Sequence, residues 1–195
     1  MKKLLIILGL LVLAPGALLA QGPTYYVDYY ANNPGPVTSG NDQVIRIVNV
    51  GRGGTPLTSP VGDICADIYV FDNNQEMISC CSCRLTPNEL LSASVAFNLT
   101  NNPVTSVVPA AGVVKIGLTG GFPACDTPLT ASDASLGVVF GTHLQVTGGA
   151  TFVTEAEKLP SPLSAAEAAF LPTACQFAQY LGSGKGICSC RVPGN

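Results

Sequence analysis

The run Asp63-Ile64-Cys65-Ala66-Asp67-Ile68-Tyr69-Val70-Phe71-Asp72-Asn73-Asn74-Gln75-Glu76-Met77-Ile78-Ser79-Cys80-Cys81-Ser82-Cys83 reads as one β-hairpin. Ile64 to Phe71 is rich in β-branched and aromatic residues, which favour a pleated strand. Asp72-Asn73-Asn74-Gln75 carries turn chemistry, because Asp and Asn side chains bond the nearby backbone. Glu76 to Cys83 can then return antiparallel.

Outward on both sides the same signals recur. Val44-Ile45-Arg46-Ile47-Val48-Asn49-Val50 is a strand closed by Gly51-Arg52-Gly53-Gly54. Before it, Tyr25-Tyr26-Val27-Asp28-Tyr29-Tyr30 is another, with Tyr25, Val27 and Tyr29 on one face, and Asn32-Asn33-Pro34-Gly35-Pro36 breaks it. Downstream, apolar runs follow at Leu90 to Leu99, Val113 to Leu118, Leu136 to Phe140 and Leu144 to Val146. Short strands at this spacing, separated by Gly, Pro and Asn, predict a mainly β protein built as an antiparallel β-sandwich.

Near the C-terminus the pattern becomes helical. Ser164-Ala165-Ala166-Glu167 is a capping box opening an Ala-rich helix that Pro172 is expected to stop. Thr173-Ala174-Cys175-Gln176 has the same form, and Phe177, Tyr180 and Leu181 complete a second helix ending at Gly182. The sequence therefore predicts two short C-terminal helices within residues 162–182.

At the other end, Lys2 and Lys3 precede an apolar run from Leu4 to Leu13, then Pro15-Gly16 and Ala17-Leu18-Leu19-Ala20. That is the layout of a secretory signal peptide, cut after Ala20, and its apolar core is short for a membrane span of about 20 residues. Residues 1–20 are thus read as signal, and residues 21–195 as a single disulfide-bonded β-rich domain, secreted to an extracellular or periplasmic space with no membrane span after cleavage.

Composition narrows the function classes. Of 195 residues only 11% are charged, against about 25% in an ordinary soluble domain. With 47% apolar residues the chain is too hydrophobic for intrinsic disorder. A net charge of −3 leaves no electrostatic footprint for nucleic acid. Without Lys2 and Lys3, seven basic residues face twelve acidic ones, a net charge of −5.

Eight cysteines, Cys65, Cys80, Cys81, Cys83, Cys125, Cys175, Cys188 and Cys190, form an even set in an exported chain and read as a disulfide framework. Folding the hairpin about Asn73-Asn74 brings Cys65 near Cys81 and Cys83, so one of these is expected to bridge it while Cys80 reaches elsewhere. A Cys80–Cys81 bond is geometrically poor. Cys175 and Cys188 suit a helix-to-tail staple, and Cys125 joins a remaining partner. Clustered thiolates could instead hold Cu(I) or Zn, but exported thiols oxidise and no paired C-x₂-C knuckles are present. No metal or cofactor site is assigned.

Other chemistry is sparse. His143 is the single histidine, it sits in Phe140-Gly141-Thr142-His143-Leu144, and no G-x-S-x-G elbow accompanies it. It is read as a strand or loop histidine without catalytic duty. Glu155 and Glu157 are read as a solvated strand end rather than a hydrolase acid pair. Asp72, Asn73, Asn74 and Glu76 lack the full Ca²⁺-loop spacing and fit a turn. Gly182-Ser183-Gly184-Lys185-Gly186 lacks the features of a phosphate loop and is read as a helix cap and linker. Asn98-Leu99-Thr100 is a glycosylation sequon, meaningful only in a eukaryotic host.

Ile64 to Asp72, Cys80-Cys81-Ser82-Cys83, Val107-Val108-Pro109 with Val113-Val114-Lys115-Ile116, and Leu171-Pro172-Thr173-Ala174-Cys175 through Tyr180 to Cys190 together resemble a group of uncharacterised secreted, cysteine-containing bacterial proteins. That resemblance implies export and a shared disulfide pattern, and no catalytic residue.

The leading expectation is a secreted non-enzymatic structural or interaction protein, as a self-assembling cell-surface or extracellular filament subunit whose partner is itself. Tyr25, Tyr26, Val27, Tyr29 and Tyr30 offer an assembly strand, although a first strand of the chain's own sheet is the plainer reading. The alternative is an extracellular ligand- or carbohydrate-binding sandwich with an unknown ligand in a concave site of Tyr and Asn. A secreted hydrolase or a thiolate metal-binding protein ranks behind both.

Overall fold

The computed structural model describes residues 23–31, 43–58, 60–100, 108–120, 125, 132–180, 188 and 190. Residues 1–20, expected to be a signal peptide, and Gly182–Gly186 lie outside the described residues. In chain order the strands are β1 (Thr24–Ala31), β2 (Val44–Asn49), β3 (Ile64–Asp72), β4 (Met77–Leu85), β5 (Leu90–Ser94), β6 (Ala111–Gly120), β7 (Gly137–Thr147), β8 (Ala150–Glu157) and β9 (Pro160–Pro162), followed by helix α1 (Ala165–Tyr180). They form two antiparallel sheets, one ordered β4-β3-β6-β1-β9 and the other β5-β2-β7-β8. Among the described residues no helix is long and apolar enough to cross a membrane.

The hairpin at the centre of the sequence pairs as expected, with Ala66 opposite Cys83 and Ile68 opposite Cys81. Asp72 closes it, its Oδ1 accepting the Asn74 and Glu76 N–H groups at 2.8 and 2.9 Å. The alternation of side chains then divides β3 between two cores. Ile64, Ala66, Ile68 and Val70 face the other sheet and form one core with its Ile45, Ile47 and Val139 and with Tyr26, Tyr30 and Ile116 of their own sheet. Tyr69 and Phe71 face outward and are covered by Leu171 and Cys175 of the helix, together with Tyr25. Each such side chain contributes about 1.5–3 kcal/mol when removed from water, which is what seats the helix on this face.

Three expectations about local structure are corrected. The helix is continuous, so two short helices are replaced by one, and Pro172 lies inside it. Ser164 does cap it, accepting the Glu167 N–H at 3.1 Å. Proline removes one N–H, but Ala168, Leu171, Pro172 and Cys175 share the buried stripe, and their packing outweighs the missing bond. Thr173 bonds back to the Ala169 carbonyl at 3.2 Å instead of opening a new helix. Second, the apolar run from Leu90 is a strand only to Ser94, after which Val95–Leu99 winds into a π-helical turn. Asn98 of the sequon is buried there, its Oδ1 holding the Ser94 N–H at 2.8 Å. Third, the runs at Leu136–Phe140 and Leu144–Val146 belong to one long strand, β7, entered through a 3₁₀ turn at Ala134–Leu136.

Candidate functional site

All eight cysteines are bonded, as Cys65–Cys125, Cys80–Cys175, Cys81–Cys188 and Cys83–Cys190. The expected Cys65 bridge to Cys81 or Cys83 does not form, for a reason of parity. Residues opposite one another in an antiparallel pair share a face, and Cys65 stands opposite Arg84. Cys81 and Cys83, opposite Ile68 and Ala66, therefore point into the intersheet core while Cys65 points outward. The Cys175–Cys188 staple is replaced as well. Adjacent Cys80 and Cys81 occupy opposite faces of β4, so one bond holds the helix outside and the other holds the tail inside. Cys81, Cys83 and Cys190 bring their sulfurs within 4.8 Å of one another, yet in disulfides they offer no thiolate to a metal.

The strand Tyr25–Tyr30 lies within its own sheet as β1, bonded to β6 on one side and over Thr24–Tyr26 to β9 on the other. Beyond β9, Gln43 takes the place of a strand. Its Oε1 accepts the Ala31 N–H at 3.2 Å and its Nε2 donates to the Tyr29 carbonyl at 2.7 Å. Replacing Gln43 with Ala strands these groups and is expected to cost about 1–3 kcal/mol in urea unfolding. An unchanged midpoint would remove Gln43 from this role.

Gln43 also reaches a polar cluster between the sheets. Its Nε2 lies 3.1 Å from His143 Nδ1, and with the amide oriented by Tyr29 and Ala31 it is the donor. His143 Nε2 faces Asp28 Oδ1 at 3.1 Å, and Lys158 Nζ lies 2.9 Å from the same oxygen. Tyr29 stacks on the imidazole with ring centroids 4.5 Å apart. An Asp–His pair is two-thirds of a nucleophilic triad. Here both ring nitrogens are occupied, and among the described residues no hydroxyl or thiol bonds the ring. Gly141 backs Asp28, because a methyl group there would overlap Oδ2.

A second buried acid lies on the outer face of β3. Asp67 Oδ2 accepts from Thr119 at 3.2 Å, while Asp67 Oδ1, Tyr69 OH and Ser82 Oγ have no hydrogen-bond partner among the described residues. Burial pushes the Asp67 carboxyl up to about 6, despite the hydroxyls of Ser82 and Thr119 beside it. Burial, and then the Asp67 charge, also raise the Tyr69 hydroxyl.

Glu155 and Glu157 share the outward face of β8, exposed, with Glu155 ion-paired to Arg46. They face no cleft. Concave surface lies instead beside the helix. A groove of about 600 Å³ is lined by Glu76, Met77, Phe170, Thr173, Ala174 and Phe177. Phe170 separates it from a second groove of about 400 Å³ that includes Phe71, Lys115 and Glu167. Lys115 lies 5.2 Å from the centre of the Phe71 ring and pairs with Glu167.

Sequence reasoning did not single out Asp28, Gln43, Lys158, Asp67 or Phe170 as site residues. Only Asp28 and Asp67 carried a signal, as lone charges at inward or covered positions of strands. Fold and surface together define a disulfide-stapled two-sheet β-protein with an apolar groove along its helix. No protein-family model, curated protein or solved structure matches the chain.

Proposed function

We propose that this is a secreted, non-enzymatic structural or interaction protein that works by self-association. The observation that carries this reading is the display of large apolar side chains on a covalently braced framework. Phe170 and Phe177 on the helix are 48% and 64% exposed, and Phe152 and Val153 on β8 are 54% and 59% exposed. Sparse charge supports it, because little electrostatic repulsion opposes contact between copies. Four disulfides suit an oxidising, extracellular or periplasmic compartment. The occupied nitrogens of His143 support a structural rather than catalytic duty for the Asp28 cluster.

Sedimentation velocity over rising concentration tests the proposal. A mass that grows beyond one chain is expected, and a strictly monomeric protein would contradict it. The helix groove favours a second reading, an apolar-ligand module. Its Phe, Met and Ala lining differs from the Tyr and Asn surface expected of a carbohydrate site.

A further inference from the structure

Sheet edges expose unpaired backbone groups that template other strands, and proteins normally block them. Three of the four sheet edges here are blunted. At the edge strand β4 sit Cys188 and Cys190, the Cys188 N–H on the Cys80 carbonyl at 3.4 Å and each cysteine in a disulfide to β4. The edge strand β9 has three residues, and Pro160 and Pro162 lack N–H groups. The edge strand β5 has five residues, and the outermost N–H, that of Ser94, is taken by Asn98. Even the stretch of β1 left uncovered by β9 is occupied by Gln43.

The fourth edge, β8, carries none of these devices. It has eight residues without Pro, Lys or a bulge, and among the described residues it pairs only with β7. The β7–β8 ribbon also projects, because β2 accompanies β7 only to Gly141 while β7 continues to Thr147. Gly148 and Gly149, with φ of 61° and 81°, make the two-residue turn at its tip. The residues flanking such a turn, Thr147 and Ala150, form a hydrogen-bonded pair, and bonding alternates from there. The Lys158 N–H on the Val139 carbonyl at 2.8 Å keeps that phase at the far end. The N–H and C=O groups of residues 151, 153, 155 and 157 therefore point away from β7 to the open side.

We infer that β8 pairs antiparallel with β8 of a second copy of this chain across a two-fold axis, joining the two four-stranded sheets into one. This rests on the self-association reading and names its surface. Charge selects the orientation. The charges on β8, Glu155 and Glu157, both lie in its C-terminal half. Antiparallel pairing about Val153 sets Glu155 opposite residue 151 and Glu157 opposite Gly149, all uncharged partners. Parallel addition would set like charges side by side, which destabilises a strand pair. A two-fold contact uses the one open edge of each copy and closes at a dimer, whereas a filament needs two unlike surfaces.

Val153→Pro removes an N–H from the open side without touching a bond to β7, and Val153→Lys places a charge at an exposed position of the same edge. The wild-type protein, purified with its disulfides intact, is expected to sediment as a dimer. Both variants are expected to weaken dimerisation by at least about tenfold, with an unfolding midpoint unchanged from wild type when all three proteins are compared at concentrations dilute enough to be monomeric. Self-association that survives in Val153→Lys would overturn the β8 assignment while leaving the broader reading in place. A wild type that stays monomeric at its highest soluble concentration would overturn both.

Discussion

Cys80→Ala/Cys175→Ala protein is expected to unfold about 3 kcal/mol more readily than wild type in guanidinium chloride. The sequence separation of this pair is 95 residues, but that overstates the loop the bond closes. Because Cys188 is already tied to Cys81, the ring shrinks to the chain from Cys175 to Cys188 plus the step between Cys81 and Cys80. A ring of about 15 residues corresponds to about 3 kcal/mol of loop-closure entropy, less than the larger loop would give. The loss should be local first. Without the bond the helix can lift from Tyr25, Tyr69 and Phe71, so the near-ultraviolet tyrosine signal should weaken before the far-ultraviolet strand signal does. A variant as stable as wild type would show that packing alone seats the helix.

Asp67→Asn is expected to stabilise the protein at neutral pH. The folded carboxyl titrates at about 6, against 3.8 in the unfolded chain, so the folded state favours the protonated acid. The stability from this preference is complete below the unfolded value and is lost as pH rises through about 6. Converted at 1.36 kcal/mol per pH unit, the difference is about 3 kcal/mol. Asn is uncharged at every pH, and its amide can donate toward the unpartnered Ser82 or Tyr69 oxygen while accepting from Thr119. Urea unfolding at pH 8 should therefore show a gain of up to about 3 kcal/mol, shrinking toward zero below pH 4. A gain of equal size at both pH values would mean that charge burial is not its cause.

The fold is legible where β-branched and aromatic runs are bounded by turn residues. The Tyr-rich first strand and Val44–Asn49 alternate between more and less buried faces, whereas the Ile64–Cys83 hairpin, with β3 buried on both faces, is marked by its composition and its Asp-Asn turn. Of β8 only the Glu155–Glu157 end reads as strand, because residues 152–157 are exposed on both faces and no period-2 pattern marks the rest. Pro172 misled because a local rule for stopping a helix was outweighed by packing against β4 and a disulfide. The cysteine pairing required one more step than spacing provides, namely the parity that assigns each sulfur to a face. The Asp28 cluster was the least legible. Its members lie on β1, before β2, on β7 and after β8, and only the folded register brings Gln43, His143 and Lys158 around one carboxylate.

The inward charge of Asp28 and the outward bareness of β8 point the same way. Asp28 Oδ1 finds its partners, His143 and Lys158, within the chain, whereas the open side of β8 has none among the described residues and is the side assigned to another copy. The most direct measurement is the sedimentation of the disulfide-intact protein, run beside Val153→Lys across the same concentrations. A two-chain mass for wild type and a one-chain mass for the variant is the predicted result. One chain for both, or the same assembly in both, would contradict it.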